Sequence, residues 1–189
     1  KGEHFDIDPK MEAMIPVIEK DIPLKAHAHR ADDICTAIRI AKEFNVKLTL
    51  EHCTEGHLIA DYIAEEGLSA QVGPTFGSRT KVELTNKSFE TAKILSERGV
   101  KVSIITDHPV IPQQSLNMCA AMAVKAGMDE FEALKAITLN PAQTLGIDHL
   151  KWQLKEGLDA DIVIWDQHPL DLQASTVRVY VKGEEVFGR

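Results

Sequence analysis

Four short segments rich in apolar and β-branched residues, at 23–28, 46–51, 68–72 and 100–106, recur roughly 22 to 33 residues apart. The intervals between them carry helical patterning. Over 32–44, Ile34, Ala37, Ile38, Ala41 and Phe44 fall on one helical face. Leu58, Ile59, Tyr62 and Ile63 repeat the theme over 54–66, stopped by Gly67. Over 86–98, Phe89, Ala92, Ile94 and Leu95 do the same, stopped by Gly99. Short strands alternating with amphipathic helices at this spacing predict βα units, and therefore a parallel sheet.

After residue 106 the pattern changes. Segments 115–127 and 129–139 read as two helices, with Asp129 as N-cap of the second. Asn140-Pro141 reads as a break, and 142–145 as a short helical turn ended by Gly146. In the tail, 161–165, 176–181 and 185–187 read as strands, with Pro169 and Lys182-Gly183 at the turns. The expectation is an α/β chain of about four βα units, followed by helices and a small β tail. With 189 residues, about one domain is expected. The charge is −8, from 21 Lys+Arg against 29 Asp+Glu, so nucleic acid and anionic membrane are poor partners. No apolar run reaches bilayer length, and Lys1-Gly2-Glu3-His4 does not open a signal peptide. Three separated cysteines without a CxxC argue against a disulfide framework, and the expected compartment is reducing and cytoplasmic.

Polar residues stand where the strands end. His27 and His29 close the first segment, His52 the second and Asp107 the fourth. Successive parallel strands deliver their C-terminal ends to one face, which is where α/β folds build sites. Imidazole and carboxylate together suit a divalent cation, zinc above all. Of His27 and His29 only one needs to be a ligand; the other could hold substrate or orient a ligand. A single histidine at a strand end is more often an ordinary hydrogen-bonded residue, but ligand types at three strand ends shift that balance.

Three runs carry a resemblance. Leu24-Lys25-Ala26-His27-Ala28-His29-Arg30, Leu50-Glu51-His52-Cys53-Thr54-Glu55-Gly56 and Ile105-Thr106-Asp107-His108-Pro109 resemble strands five, six and eight of the metal-dependent amidohydrolase superfamily, in its imidazolonepropionase-related branch. Thr138-Leu139-Asn140-Pro141-Ala142-Gln143-Thr144-Leu145-Gly146 resembles the signature that follows that barrel. The stretch from Leu154 to Trp165 is similar to the family's return to a β-sandwich.

The resemblance implies the C-terminal half of a (β/α)8 TIM barrel. Residues 1–150 would supply strands five to eight and the following helices, and 151–189 the C-terminal strands of a small composite sandwich. It implies His27, His52 and Asp107 as metal ligands, with Asp107 also the general base and His52 either a ligand or a carbonyl-polarising group. The metal would be Zn2+, with Fe2+ or Mn2+ as alternatives. His29 and Arg79 are the substrate-binding candidates, Arg79 from the loop 73–85. The implied chemistry is hydrolysis of amide or other C–N bonds in a small molecule. The family's first-strand His-x-His has no counterpart upstream of His27. The chain is therefore expected to be a fragment, inactive alone, which self-associates or pairs with a missing N-terminal half. A non-catalytic scaffold or assembly domain is the alternative, and an open flavodoxin-like sheet a weaker one.

Overall fold

The computed structural model describes residues 7–189; His4 lies outside them. Two single-turn helices, α1 (Pro9–Glu12) and α2 (Ile15–Ile18), lead into β1 (Leu24–Ala28). Then come α3 (Ala31–Glu43), β2 (Leu48–His52), a 3-10 turn (Gly56–Ile59) running into α4 (Ala60–Glu65), and β3 (Ser69–Val72). A second 3-10 turn (Val82–Leu84), α5 (Thr91–Glu97) and β4 (Lys101–Ile104) complete the alternating part. Strands β1 to β4 form one parallel sheet in sequence order, with β1 and β4 as its edges among the described residues.

Register sorts this sheet into two unlike faces. Leu50, Ala70 and Val102 lie opposite one another across β2, β3 and β4 and are fully buried in the core. Ile34 and Ile38 of α3, Ile63 of α4 and Leu95 of α5 belong to the same apolar cluster. This is the amphipathic packing that the helical periodicity predicts. The residues one step along each strand, His27, Glu51, Gln71 and Ser103, point to the opposite face and are all polar. There Glu51 accepts from Thr49 Oγ1 (2.9 Å) and pairs with Lys25 (3.3 Å). The Gln71 amide, turned to suit its neighbours, donates to Glu51 Oε1 (3.1 Å) and to the Leu50 carbonyl (3.0 Å). Ser103 Oγ on that face is buried and finds no partner among the described residues.

The helices after β4 are α6 (Leu116–Lys125), α7 (Glu130–Ala136) and α8 (Leu139–Leu145). Asp129 caps α7 as predicted, accepting from the Glu132 N–H at 3.0 Å. Asn140-Pro141 does not break the chain. Both lie in the first turn of α8, where proline's missing N–H has no intrahelical partner to lose. Asn140 is buried and donates from Nδ2 to the Val102 carbonyl (2.7 Å), tying α8 to β4. Gly146 ends α8 in the left-handed conformation (φ 71°).

Two helices start later than their patterning predicts. The N–H groups of Cys53 and Glu55 are spent on the carbonyls of Ala28 and His29, so helical turns begin only at Gly56. Asn86 is held by Glu55, and α5 begins at Thr91. The tail is a three-stranded antiparallel sheet of β5 (Ile162–Trp165), β6 (Thr176–Val181) and β7 (Glu184–Gly188). No described helix is long and apolar enough to cross a membrane.

Leu50 is the central large apolar side chain of the sheet. Leu50→Ala is expected to lower unfolding stability by about 2–5 kcal/mol in urea denaturation. Leu154→Ala, at a highly exposed leucine, is expected to stay within about 0.5 kcal/mol.

Candidate metal centre

The C-terminal ends of β1 and β2 bring His27, His29 and His52 together. One ring nitrogen from each lies within 4.8 Å of the other two. Ring centroids are 4.3 Å apart for His27–His52, 4.6 Å for His29–His52 and 4.9 Å for His27–His29. His27 is exposed, whereas His29 and His52 are buried.

The convergence depends on backbone geometry as well as strand order. His52 lies opposite Ala28 in the ladder, so a regular strand would point it to the apolar face shared with Leu50. His52 and Cys53 instead take left-handed backbone angles (φ 71° and 48°), which end the alternation where β2 stops. A left-handed residue with a Cβ costs on the order of 1–2 kcal/mol. Two in a row at a strand end are the kind of strain that surrounding structure must hold in place.

Hydrogen bonds fix which nitrogens face the cluster. His52 Nδ1 donates to the Gly73 carbonyl (2.7 Å), since a carbonyl only accepts. With Nδ1 carrying the proton, Nε2 of the neutral ring offers a lone pair. His29 Nδ1 is engaged with Thr54 Oγ1 (2.8 Å), which likewise leaves its Nε2 for the cluster. A metal-binding imidazole needs this arrangement, with one nitrogen anchored and the other free. Gly73 is itself required: a Cβ there would collide with the Ile105 carbonyl, and its φ of 141° suits glycine.

Burial is the main reason that the His29 pKa falls, to about 4. The neighbouring His52 and His27 push the same way, against the opposing pull of Glu83. His29 is therefore neutral near neutral pH, the form of imidazole that binds metal. The nitrogen-rich donor set therefore fits a divalent cation of the zinc type.

The remaining sequence candidates are placed differently. Asp107 follows β4 by three residues, at the same C-terminal end of the sheet, is exposed, and takes a left-handed angle (φ 51°). It stands outside the three-imidazole group, whereas His29 is a full member. Arg79 is exposed and donates to the Lys87 carbonyl (2.8 Å), knitting its own loop together. Cys53 beside His52 is fully buried, and burial pushes its thiol up to about 12, so it is no nucleophile.

Two acids escaped the strand-end logic. Glu55 is buried and accepts from the Ala31 N–H at the start of α3 (2.8 Å) and from Asn86 Nδ2 (2.9 Å). Glu83 Oε1 lies 3.8 Å from His29 Nε2. Glu55 does stand in the run from Leu50 to Gly56, three residues after His52, and that position is its signal in the sequence. Glu83 had none.

A parallel βα sheet with imidazoles gathered at the C-terminal strand ends defines an α/β protein with a candidate metal site in the position such folds use for chemistry. The chain belongs to the amidohydrolase family, whose sequence profile matches residues 8–186. It is 33% identical to an imidazolonepropionase from Pseudoalteromonas atlantica over 174 residues, 86% of this chain and 40% of that protein. It is 26% identical to the amidohydrolase tasK of Hapsidospora irregularis over 98% of this chain and 19% of that protein. Among solved structures, an amidohydrolase from Thermotoga maritima superposes with a TM-score of 0.94 at 44% identity, over 99% of this chain and 49% of that one. The chain thus spans about half or less of the length of these relatives.

Protonation of His29 links the cluster to stability. Its folded pKa of about 4 lies below the ordinary 6.5, so between those values the unfolded chain binds more protons. Metal-free protein is expected to lose stability as pH falls from 6.5 toward 4, with no contribution from this group above that window. Urea midpoints across the range test this, and His29→Gln is expected to flatten the dependence.

Proposed function

We propose that this chain forms part of a metal-dependent hydrolase acting on amide or other C–N bonds of a small molecule. The observation that carries the reading is the cluster of three imidazoles, two of them with one nitrogen already anchored. His27 and His52 would hold the cation, with His29 as the third imidazole, and zinc is the metal that best suits such donors. A bound divalent cation supplies Lewis-acid polarisation of a carbonyl and makes a water acidic near neutral pH. Asp107, three residues beyond the C-terminal end of β4, would accept the proton of the attacking water and pass it to the leaving nitrogen. His29 also stands where it can orient a substrate.

The reading includes a division of the molecule. Residues 1–150 are taken as strands five to eight of a (β/α)8 barrel with the helices that follow, and 151–189 as strands of a composite sandwich. Open edges at β1 and β4 support this, as does a polar sheet face bearing a partnerless buried hydroxyl at Ser103. A parallel sheet is ordinarily covered on both faces, and among the described residues α3, α4 and α5 pack on the face of Leu50, Ala70 and Val102. Val163, Ile164, Val186 and Phe187 of the tail are exposed, as expected of strands that pack on others. The remaining barrel wall would come from polypeptide outside these 189 residues, and the chain by itself would turn over little.

Zinc titration of the purified chain tests the reading. About one equivalent is expected to bind, and His27→Ala or His52→Ala is expected to abolish it. In the complete barrel, Asp107→Asn is expected to lower turnover by roughly 100-fold or more. A chain that takes up no metal, or a complete barrel indifferent to Asp107→Asn, would overturn the hydrolytic reading in favour of a scaffold without chemistry.

A further inference from the structure

Residues 73–90 carry one group to the imidazole cluster that strand order does not explain. Glu83, in the 3-10 turn Val82–Leu84, holds Oε1 3.8 Å from His29 Nε2. That is too long for a hydrogen bond. Two donor atoms that each stand about 2.1 Å from a shared tetrahedral cation are about 3.4 Å apart, so a closure of a few tenths of an ångström would bring both to one ion. The same oxygen lies 3.3 Å from the ammonium of Lys81, so the carboxylate sits between a side-chain cation and the cluster.

The placement is built rather than incidental. Asn86, three residues beyond Glu83, donates to Oε1 of the buried Glu55 (2.9 Å). The backbone N–H of Glu55 donates in turn to the carbonyl of His29 (2.8 Å). One buried residue therefore anchors both the segment bearing Glu83 and the histidine that Glu83 faces. The loop is further closed by Lys87 Nζ on the Gly77 carbonyl (2.8 Å) and by Arg79 on the Lys87 carbonyl (2.8 Å).

We propose that Glu83, which like Asp107 stands outside the three-imidazole group, joins the metal site when a cation binds, its carboxylate exchanging the Lys81 ammonium for a divalent cation held by His27, His29 and His52. This rests on the reading of those imidazoles as a metal centre. Lys81 then acts as an internal competitor, satisfying the carboxylate until the cation arrives.

Co2+ titration of the full chain, followed by visible absorption and by affinity, tests the inference without any assay of turnover. Glu83→Gln is expected to weaken Co2+ binding about tenfold and to change the absorption envelope. Lys81→Met is expected to tighten binding severalfold, and to do so only while Glu83 is present, so that the double variant behaves like Glu83→Gln. A Glu83→Gln chain with unchanged affinity and spectrum would overturn the role of Glu83 and leave the imidazole centre standing. So would a Lys81→Met effect that survives in the double variant. An unsubstituted chain with no Co2+ uptake sensitive to His27→Ala would remove the metal centre itself, and the role of Glu83 with it. Glu83 is partly exposed, so circular dichroism of Glu83→Gln is expected to match that of the unsubstituted chain.

Discussion

Parallel pairing of β1 with β2 is the constraint on which the rest depends. It sets Ala28 opposite His52 and thereby places three imidazoles at adjacent strand ends. Parallel strands need crossover helices, and the apolar faces of α3, α4 and α5 bury against the side of the sheet that carries Leu50, Ala70 and Val102. The core and the site are thus two results of one register. Hydrophobic burial on one face holds the strands rigid, and their common direction sends the histidines to the same end.

The imidazoles gain their chemical character from what stands behind them. The Gly73 carbonyl, at the end of β3, holds the proton on His52 Nδ1, and Thr54 holds His29. Both anchors belong to the scaffold: Gly73 can approach Ile105 only because it lacks a Cβ, and Thr54 also offers its carbonyl to Thr91 (3.3 Å). Burial then keeps His29 neutral, so the scaffold delivers lone pairs rather than positive charges. Glu55 performs the corresponding task for the loop, joining the start of α3, the His29 backbone and Asn86 through one buried side chain. A buried carboxylate tolerates such a position because hydrogen bonds reach both of its oxygens.

The order of strands and helices could be read directly from the chain, because apolar periodicity records which face of each element is buried. Ile34, Ile38, Ile63 and Leu95 all entered the core from the face that their spacing indicated. Local exceptions arose where distant groups claim the backbone. The helix after β2 starts late because Cys53 and Glu55 donate to β1 and its extension, and Asn140-Pro141 opens a helix because Val102 supplies Asn140 with a buried acceptor. Neither partner is near in sequence, so no local pattern could announce it.

The sequence by itself determined that histidines would stand at the ends of neighbouring strands, since that follows from periodicity and from which residues terminate each apolar run. Only the tertiary structure decided that His29 joins His27 and His52 while Asp107 stands outside their group, and that Glu83 faces them across a loop. The physical reason is that side-chain direction at a strand end is set by backbone angles such as those of His52 and Cys53. Those angles are stabilised by contacts with Gly73, Ala28 and the residues around them, which exist only once the sheet has formed.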